Sequence, residues 1–287
     1  LSDSVGVPTI NKIHIMLHSA LGYALRAGLV NRNVTDAAIP PKAPAKEMKI
    51  IDESQVSQML IAARGSRLEA LLHLAVATGM RQMELLGLKW NDLDWVKQTL
   101  KIERQLVRSK SGSVEFVPPK TKHGRRTVAL GSHTIEVLRQ QYEKQLAERK
   151  AAGDRWSEHG LIFTTKNGTP IHYRNLLRDF KILLRNAGLP VIRFHDLRHT
   201  AASIMLNHGI PVIVVSRRLG HAKPSITLDV YGHLIPSMQA EAAQKIDELI
   251  TPVEVTQLHP TAPDLHQNCT QNTPSEFNTP IYGSRKN

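Results

Sequence analysis

The chain has 287 residues, of which 41% are hydrophobic and 22% charged, and its net charge is +12. No apolar run approaches the ~20 residues that cross a bilayer, and the single cysteine, Cys269, excludes an internal disulfide and fits a reducing cytoplasm. The positive charge is concentrated in residues 51–250, whose 29 basic and 19 acidic residues favour a polyanionic partner such as nucleic acid.

The N-terminal part of the chain is predicted to be helical. Apolar residues recur at helical spacing in three segments: residues 11–28, 52–63 and 68–78. Gly28 and Gly79 end the first and third helices, and Asp52 is the predicted N-cap of the second. Three prolines between residues 31 and 46 predict a linker.

A change of pattern over residues 99–130 predicts short strands in a small antiparallel sheet, and residues 109–113 and 120–124 resemble its hairpin turns. Helical patterning then resumes in six segments: residues 134–150, 174–187, 195–208, 212–219, 226–231 and 236–249. From Thr251 the chain is rich in Pro, Thr, Asn and Gln, so we expect residues 251–287 to be a disordered tail.

Cations, imidazoles and one tyrosine are concentrated in three segments with defined internal spacing. These are ATGMRQMELLGL at residues 77–88, HDLRHTAA at residues 195–202 and LGHAKPSITLDVYGH at residues 219–233. A basic segment, PKTKHGRRTV, lies at residues 119–128. In this order, the four segments resemble the tyrosine recombinase (phage integrase) family over residues 50–250.

The resemblance implies an enzyme that cuts and rejoins DNA strands through a 3′-phosphotyrosine ester. Two guanidiniums can clamp the oxygens of the attacked phosphate, and a phenol needs help to lose its proton. The implied catalytic residues are the phosphate-binding Arg81 and Arg198, the proton acceptor His195, the phosphate-bonding His221, the general acid Lys122, which protonates the departing 5′ oxygen, and the nucleophile Tyr231. Because the phosphotyrosine ester conserves the energy of the cleaved phosphodiester bond, the resemblance implies no cofactor and no metal.

The family resemblance also implies an architecture. We expect a mainly α catalytic domain at residues 51–250, with a small three-stranded antiparallel sheet that carries Lys122. Residues 1–40 would be the C-terminal remnant of a helical core-binding domain that clamps DNA, and residues 41–50 a linker. The implied partner is double-stranded DNA, bound by a tetramer at two recombination sites of a mobile element. Such a protein would work in the cytoplasm, at the nucleoid, without a membrane.

Histidine spacing leaves a zinc hydrolase as an alternative. His195 and His199 are four residues apart in a predicted helix, which is the ligand spacing of His-Glu-x-x-His enzymes. Asp196 replaces the glutamate, however, and Arg198 would place a cation beside the metal. Since a zinc hydrolase would also leave the role of Tyr231 unexplained, we favour the recombinase. A DNA-binding module without catalysis is the other alternative, and it would form no covalent adduct.

Several residues have a structural alternative to the functional interpretation. Arg81 can pair with Glu84, which we interpret as a structural residue that holds an arginine, and His199 has no assigned role. A slip in the basic segment would give the lysine role to Lys120 instead of Lys122. The helix at residues 236–249 either docks on a neighbouring subunit or packs on its own chain.

Overall fold

The computed structural model of the protein describes residues 5–41, 49–109, 113–119, 122–232 and 237–251. It forms two compact units, Leu1–Glu241 and Ala242–Asn287, of which the second is described only as far as Thr251. The expected disordered tail therefore lies outside the described residues, except for Thr251. Within these ranges, no helix is both long and apolar enough to span a lipid bilayer.

The protein is mainly α-helical, as predicted. Its described α-helices are α1 (Val7–Arg26), α2 (Glu53–Ala63), α3 (Glu69–Thr78), α4 (Gln82–Leu86), α5 (Ser132–Ala152), α6 (Tyr173–Asn186), α7 (Asp196–Asn207), α8 (Val212–Leu219), α9 (Pro224–Tyr231) and α10 (Ser237–Ile250). Single 3₁₀ turns occur at Val34–Ala37, Trp90–Asp92, Lys122–Gly124 and Gly153–Arg155.

Two predicted helix ends are confirmed in detail. The Asp52 side chain accepts a hydrogen bond from the backbone N–H of Gln55 at 2.8 Å, and the Gln55 side chain accepts one from the backbone N–H of Asp52. This reciprocal pair is a capping box, which stabilises the first turn of α2. Gly79 ends α3 in the left-handed conformation with φ +64°, which a glycine adopts without steric cost.

Helix α1 begins four residues earlier than predicted, because Pro8 fits the first turn, where its missing N–H is not needed. No residue of α1 is buried. The helix contacts the 3₁₀ turn Val34–Ala37, and Nε2 of His14 lies 3.2 Å from the carbonyl oxygen of Thr35. The domain boundaries at residues 40 and 50 stay a prediction.

A three-stranded antiparallel sheet has the order β1 (Leu93–Asp94), β2 (Thr99–Ile102) and β5 (Arg126–Ala129). Its central pairing aligns the buried Leu100 with the buried Val128. Strands β3 (Gln105–Arg108) and β4 (Val114–Val117) form a separate two-stranded ladder. The predicted sheet is thus confirmed, but residues 99–130 are divided between two sheets.

This division corrects one of the two predicted hairpin turns. Residues 109–113 do connect a hairpin, in which the backbone N–H of Ser109 donates to the carbonyl of Ser113 at 3.0 Å. Residues 120–124 do not, because β4 and β5 belong to different sheets. Leu100 and Ile102 of β2 are fully buried, and Val128 of β5 completes this apolar face, whereas β4 has no fully buried residue.

The core of the first unit has two apolar clusters. The larger is centred on α3, whose Leu71, Leu72 and Leu74 are fully buried, and it includes Phe180 of α6. The smaller joins α7, α8 and α9 through Ala202, Leu206, Val215, Leu219 and Tyr231. Burial of each large side chain contributes roughly 1.5–3 kcal/mol, so the smaller cluster fixes the end of α9 against α7 and α8.

Candidate active site

A cleft of about 340 Å³ brings together five of the six predicted site residues. They reach it from the start of α4, from α7, from the connection between α8 and α9, and from the end of α9: Arg81, His195, Arg198, His221 and Tyr231. The sixth, Lys122, lies with its backbone in the 3₁₀ turn between β4 and β5, and its side chain is outside the described part of the structure.

Glu84 holds two guanidiniums at the edge of the cleft. Its Oε1 accepts from Arg81 at 2.9 Å, and its Oε2 accepts from Arg126 at 3.0 Å. Burial raises the pKa of the Glu84 carboxyl, but Arg126 and Arg81 lower the pKa more, so the group stays ionised. The predicted structural role of Glu84 agrees with these contacts, while Arg126 is a second partner that the sequence did not indicate.

Arg198 offers an unused hydrogen-bond donor to the cleft. Its side chain is buried in α7, and Nη1 donates to the carbonyl of Gly79 at 2.7 Å. Nη2 is also buried, yet it has no hydrogen-bond partner among the described residues. Burial, followed by the repulsion of Arg81, lowers the pKa of Arg198 to about 9, so the guanidinium is still charged at pH 7. A buried, charged and unpartnered donor is costly without an anion.

His221 is a neutral imidazole beside these cations. Burial, then Arg198 and Arg81, lower its pKa to about 4. Nδ1 lies 2.8 Å from Oγ1 of the buried Thr227. With the Thr227 hydroxyl as donor, the neutral ring carries its hydrogen on Nε2 and can donate it to an anion.

Tyr231 ends α9 and is 2% exposed. Burial raises the pKa of its phenol to about 12, although Arg198 opposes the shift. The hydroxyl oxygen lies 2.7 Å from Nδ1 of His199. His195 packs edge-on against His199, with ring centroids 5.2 Å apart, and burial, His199 and Arg198 lower its pKa.

His199 is therefore the residue of this cleft that sequence reasoning missed. The available signal was its spacing of four residues from His195, which places both rings on one face of α7. The sequence did not indicate that the end of α9 lies across that face. Within the described ranges, no three side chains of His, Cys, Asp or Glu form a group that could hold a metal ion, and His199 contacts Tyr231 instead.

The 3₁₀ turn Lys122–Gly124 is fastened near the cleft by Arg126. This guanidinium donates to the carbonyl of Gly124 at 3.2 Å and to the carbonyl of Arg218 at 2.7 Å. A Cβ added to Gly220, which lines the cleft, would lie 3.0 Å from the carbonyl oxygen of His123. The backbone of Lys122 is thus close to the cleft, whereas Lys120 lies outside the described residues.

In a comparison with known protein families, residues 49–237 match the Phage integrase family. The chain is 33% identical to a tyrosine recombinase XerC-like protein of Caldanaerobacter subterraneus subsp. tengcongensis over 84% of this chain and 66% of that protein. It is 28% identical to the ICEBs1 integrase of Bacillus subtilis, again over 84% of this chain and 66% of the relative. The chain thus spans slightly less than two thirds of the length of these relatives.

A solved structure has a similar fold. It is the Tn1549 transposon integrase in complex with a circular intermediate DNA, which matches 85% of this chain and 81% of that one with a TM-score of 0.72. The sequence identity is 19%, so this likeness concerns the fold alone.

Proposed function

The chain belongs to the phage integrase family of tyrosine recombinases, and on that premise we propose that it cuts and rejoins DNA strands through a covalent bond at Tyr231. The observation that carries the proposal is the cleft itself. It combines two arginines, one with a buried free donor, and the hydroxyl of a tyrosine. A phosphodiester is the anion that such a set of donors fits.

The reaction is a transesterification with paired bond changes. Oη of Tyr231 attacks the phosphorus, the bond to the 5′ oxygen breaks, and the 3′ phosphate becomes an ester of the tyrosine. The phenol proton is taken by an imidazole of the cleft, a role that the family resemblance gives to His195, and Lys122 supplies a proton to the 5′ oxygen. Attack by another 5′ hydroxyl reverses these steps and joins new strands.

Arg81, Arg198 and His221 bind the phosphate in this proposal. Arg198 Nη2 and the N–H groups of the half-exposed Arg81 side chain donate to the non-bridging oxygens. His221 adds a neutral donor, its Nε2–H group. The hydrogen bond from this group strengthens as negative charge develops on those oxygens. Because cations already surround the phosphate, the reaction needs neither a metal nor another cofactor.

The proposed partner is double-stranded DNA, in keeping with the DNA complex of the Tn1549 integrase. We further propose that residues 51–250 are the catalytic domain, that residues 1–40 contribute to a DNA clamp, and that four copies act on two synapsed duplexes. The names of the relatives, an ICEBs1 integrase among them, support integration and excision of a mobile element as the task, and we propose the bacterial nucleoid as its place.

The test is covalent capture on a nicked duplex that loses a short 5′ fragment after cleavage. We expect the unaltered protein to form an adduct that survives denaturation, with EDTA present, and Tyr231→Phe to bind the duplex but form none. Tyr142→Phe is the matched control, since Tyr142 lies outside the cleft and Phe keeps its ring contact with Trp90. An adduct in Tyr231→Phe, or activity that EDTA abolishes and zinc restores, would overturn the proposal.

A further inference from the structure

The hydroxyl of Tyr231 is held by one imidazole. Nδ1 of His199 lies 2.7 Å from this oxygen, a distance typical of a strong hydrogen bond. Without this partner, a buried phenol oxygen would be left unsatisfied, because the apolar side chains of the α7–α9 cluster surround the ring. The contact therefore fixes both the position and the direction of the O–H group.

His195, to which the family resemblance gives the role of proton acceptor, is one step further from the phenol. Its ring packs against His199 at nearly a right angle, 88°. In the described part of the chain, no hydrogen bond joins His195 to Tyr231, whereas His199 makes one. The shortest path for the phenol proton therefore leads to Nδ1 of His199.

We propose that His199, instead of His195, is the catalytic residue that holds the hydroxyl of Tyr231 and accepts its proton when DNA is cleaved. The inference rests on the proposed function and assigns a role that the sequence left open. As the bond from Oη to phosphorus forms and the bond to the 5′ oxygen breaks, the O–H electron pair stays on Oη and the proton moves to Nδ1. When the strands are rejoined, the imidazolium returns the proton to the departing tyrosine.

The charges around His199 keep its ring neutral, so that it can accept a proton. Burial lowers its pKa, the carboxylate of Asp196 opposes this effect, and Arg193 and Arg198 lower the pKa further. Besides these groups on or next to α7, His195 packs against the ring and Tyr231 faces it from α9, with His221 near enough to interact. With a pKa below its usual 6.5, the imidazole is neutral at pH 7 and can take a proton.

The test compares two substitutions of His199 in single-turnover formation of the covalent adduct. His199→Asn keeps a hydrogen-bond acceptor close to the position of Nδ1 but cannot hold a proton, and His199→Ala removes both. We expect both variants to bind DNA and to cleave about 10²-fold or more slowly, the usual range for loss of a general base. His208→Asn is the control, because His208 follows the same helix at its exposed end. If His199→Asn cleaves at the rate of the unaltered protein, the proposed role as base is wrong.

The pH profile gives a readout that a purely structural role would not change. Below the pKa of the base, the fraction of neutral imidazole falls, so the cleavage rate should decline as pH falls through a value under 6.5. This acid limb should be absent in His199→Asn and present in His195→Gln. An acid limb that persists in His199→Asn and disappears in His195→Gln would overturn the inference.

The two proposals fail in different ways. If Tyr231→Phe, tested in parallel, still forms an adduct, the assigned nucleophile and the proposed function fail together. If Tyr231→Phe forms none while both His199 variants react at the normal rate, the proposed function stands and only the role of His199 is lost.

Discussion

At the scale of single residues, the cleft combines groups whose charges are set by burial. Arg198 keeps its charge although burial lowers its pKa to about 9, and His221 loses its charge because its pKa falls to about 4. Tyr231, with a pKa raised to about 12, cannot ionise by itself at neutral pH. In the proposed reaction, an arriving phosphate would meet fixed cations and neutral donors, and the phenol would need a base at the moment of attack.

Lys122 is the proposed general acid of the cleavage step. If Lys122 protonates the departing 5′ oxygen, Lys122→Ala should cleave an ordinary phosphodiester far more slowly, by about 10²-fold or more. A substrate with a 5′-bridging sulfur should largely restore the rate, because a thiolate leaves without a proton. Lys120→Ala is the matched control. Selective rescue of Lys120→Ala instead would show that the register of the segment is shifted by two residues.

Much of the site could be predicted because its residues stand in short segments with fixed spacing. Five of the six predicted residues line one cleft. His199 and Arg126 escaped prediction for a physical reason: each acquires its role from a partner distant in sequence. Tyr231 lies 32 residues beyond His199, and Glu84 lies 42 residues before Arg126. Local spacing cannot reveal such pairs without the packing of the elements.

At the scale of elements, Gly79 allows α3, α7 and α8 to approach each other behind the cleft. A Cβ at Gly79 would overlap Cδ2 of Leu219 in α8, and the Gly79 carbonyl accepts the hydrogen bond of Arg198. The end of α3 thus positions Arg198 as well as part of the smaller core cluster.

Gly79→Ala should consequently destabilise the protein more than an alanine at another left-handed glycine. The left-handed conformation costs roughly 1–2 kcal/mol, and the overlap with Leu219 adds roughly 1–3 kcal/mol. Gly65→Ala is the matched control, since Gly65 has φ +70° and nothing within 4 Å of an added Cβ. Urea unfolding of both variants measures the difference in the free energy of unfolding. Equal losses would show that the packing against Leu219 is not tight.

The order of helices followed from apolar periodicity, whereas the sheets did not follow from strand signals alone. Period-two runs marked β2, β4 and β5 but not β1, which lies before residue 99, and the choice of partner depended on burial. Val128 pairs with Leu100 and completes a buried face, and Phe116 pairs with Leu106 in the other ladder. The pairing of β2 with β5 joins strands that are separated in sequence by the β3–β4 hairpin, so the local pattern leaves it open.

At the scale of the whole molecule, positive charge is concentrated on the part of the chain that forms the cleft. Residues 51–250 carry a net charge of +10, against +3 for residues 1–50 and −1 for residues 251–287. A charge of this sign and size attracts the phosphates of DNA irrespective of sequence and releases condensed counterions when it binds.

DNA binding should therefore weaken steeply with salt. If the protein contacts about 6 phosphates or more, its affinity should fall by about 10³-fold between 50 and 200 mM salt. Tyr231→Phe allows the titration without cleavage, and Arg81→Ala in that background should make the slope shallower by about one unit. Fluorescence anisotropy at several salt concentrations measures both slopes. An affinity that changes less than threefold over this range would contradict a phosphate-directed interface.

The most direct test of the central claim is to find the atom that carries the DNA. Unaltered protein is trapped on a nicked duplex, digested with trypsin and nuclease, and examined by tandem mass spectrometry. We predict a single modified peptide, with a nucleotide joined through its 3′ phosphate to the side chain of Tyr231. A nucleotide on any other residue, or a cleaved strand with no covalent protein product, would contradict the account.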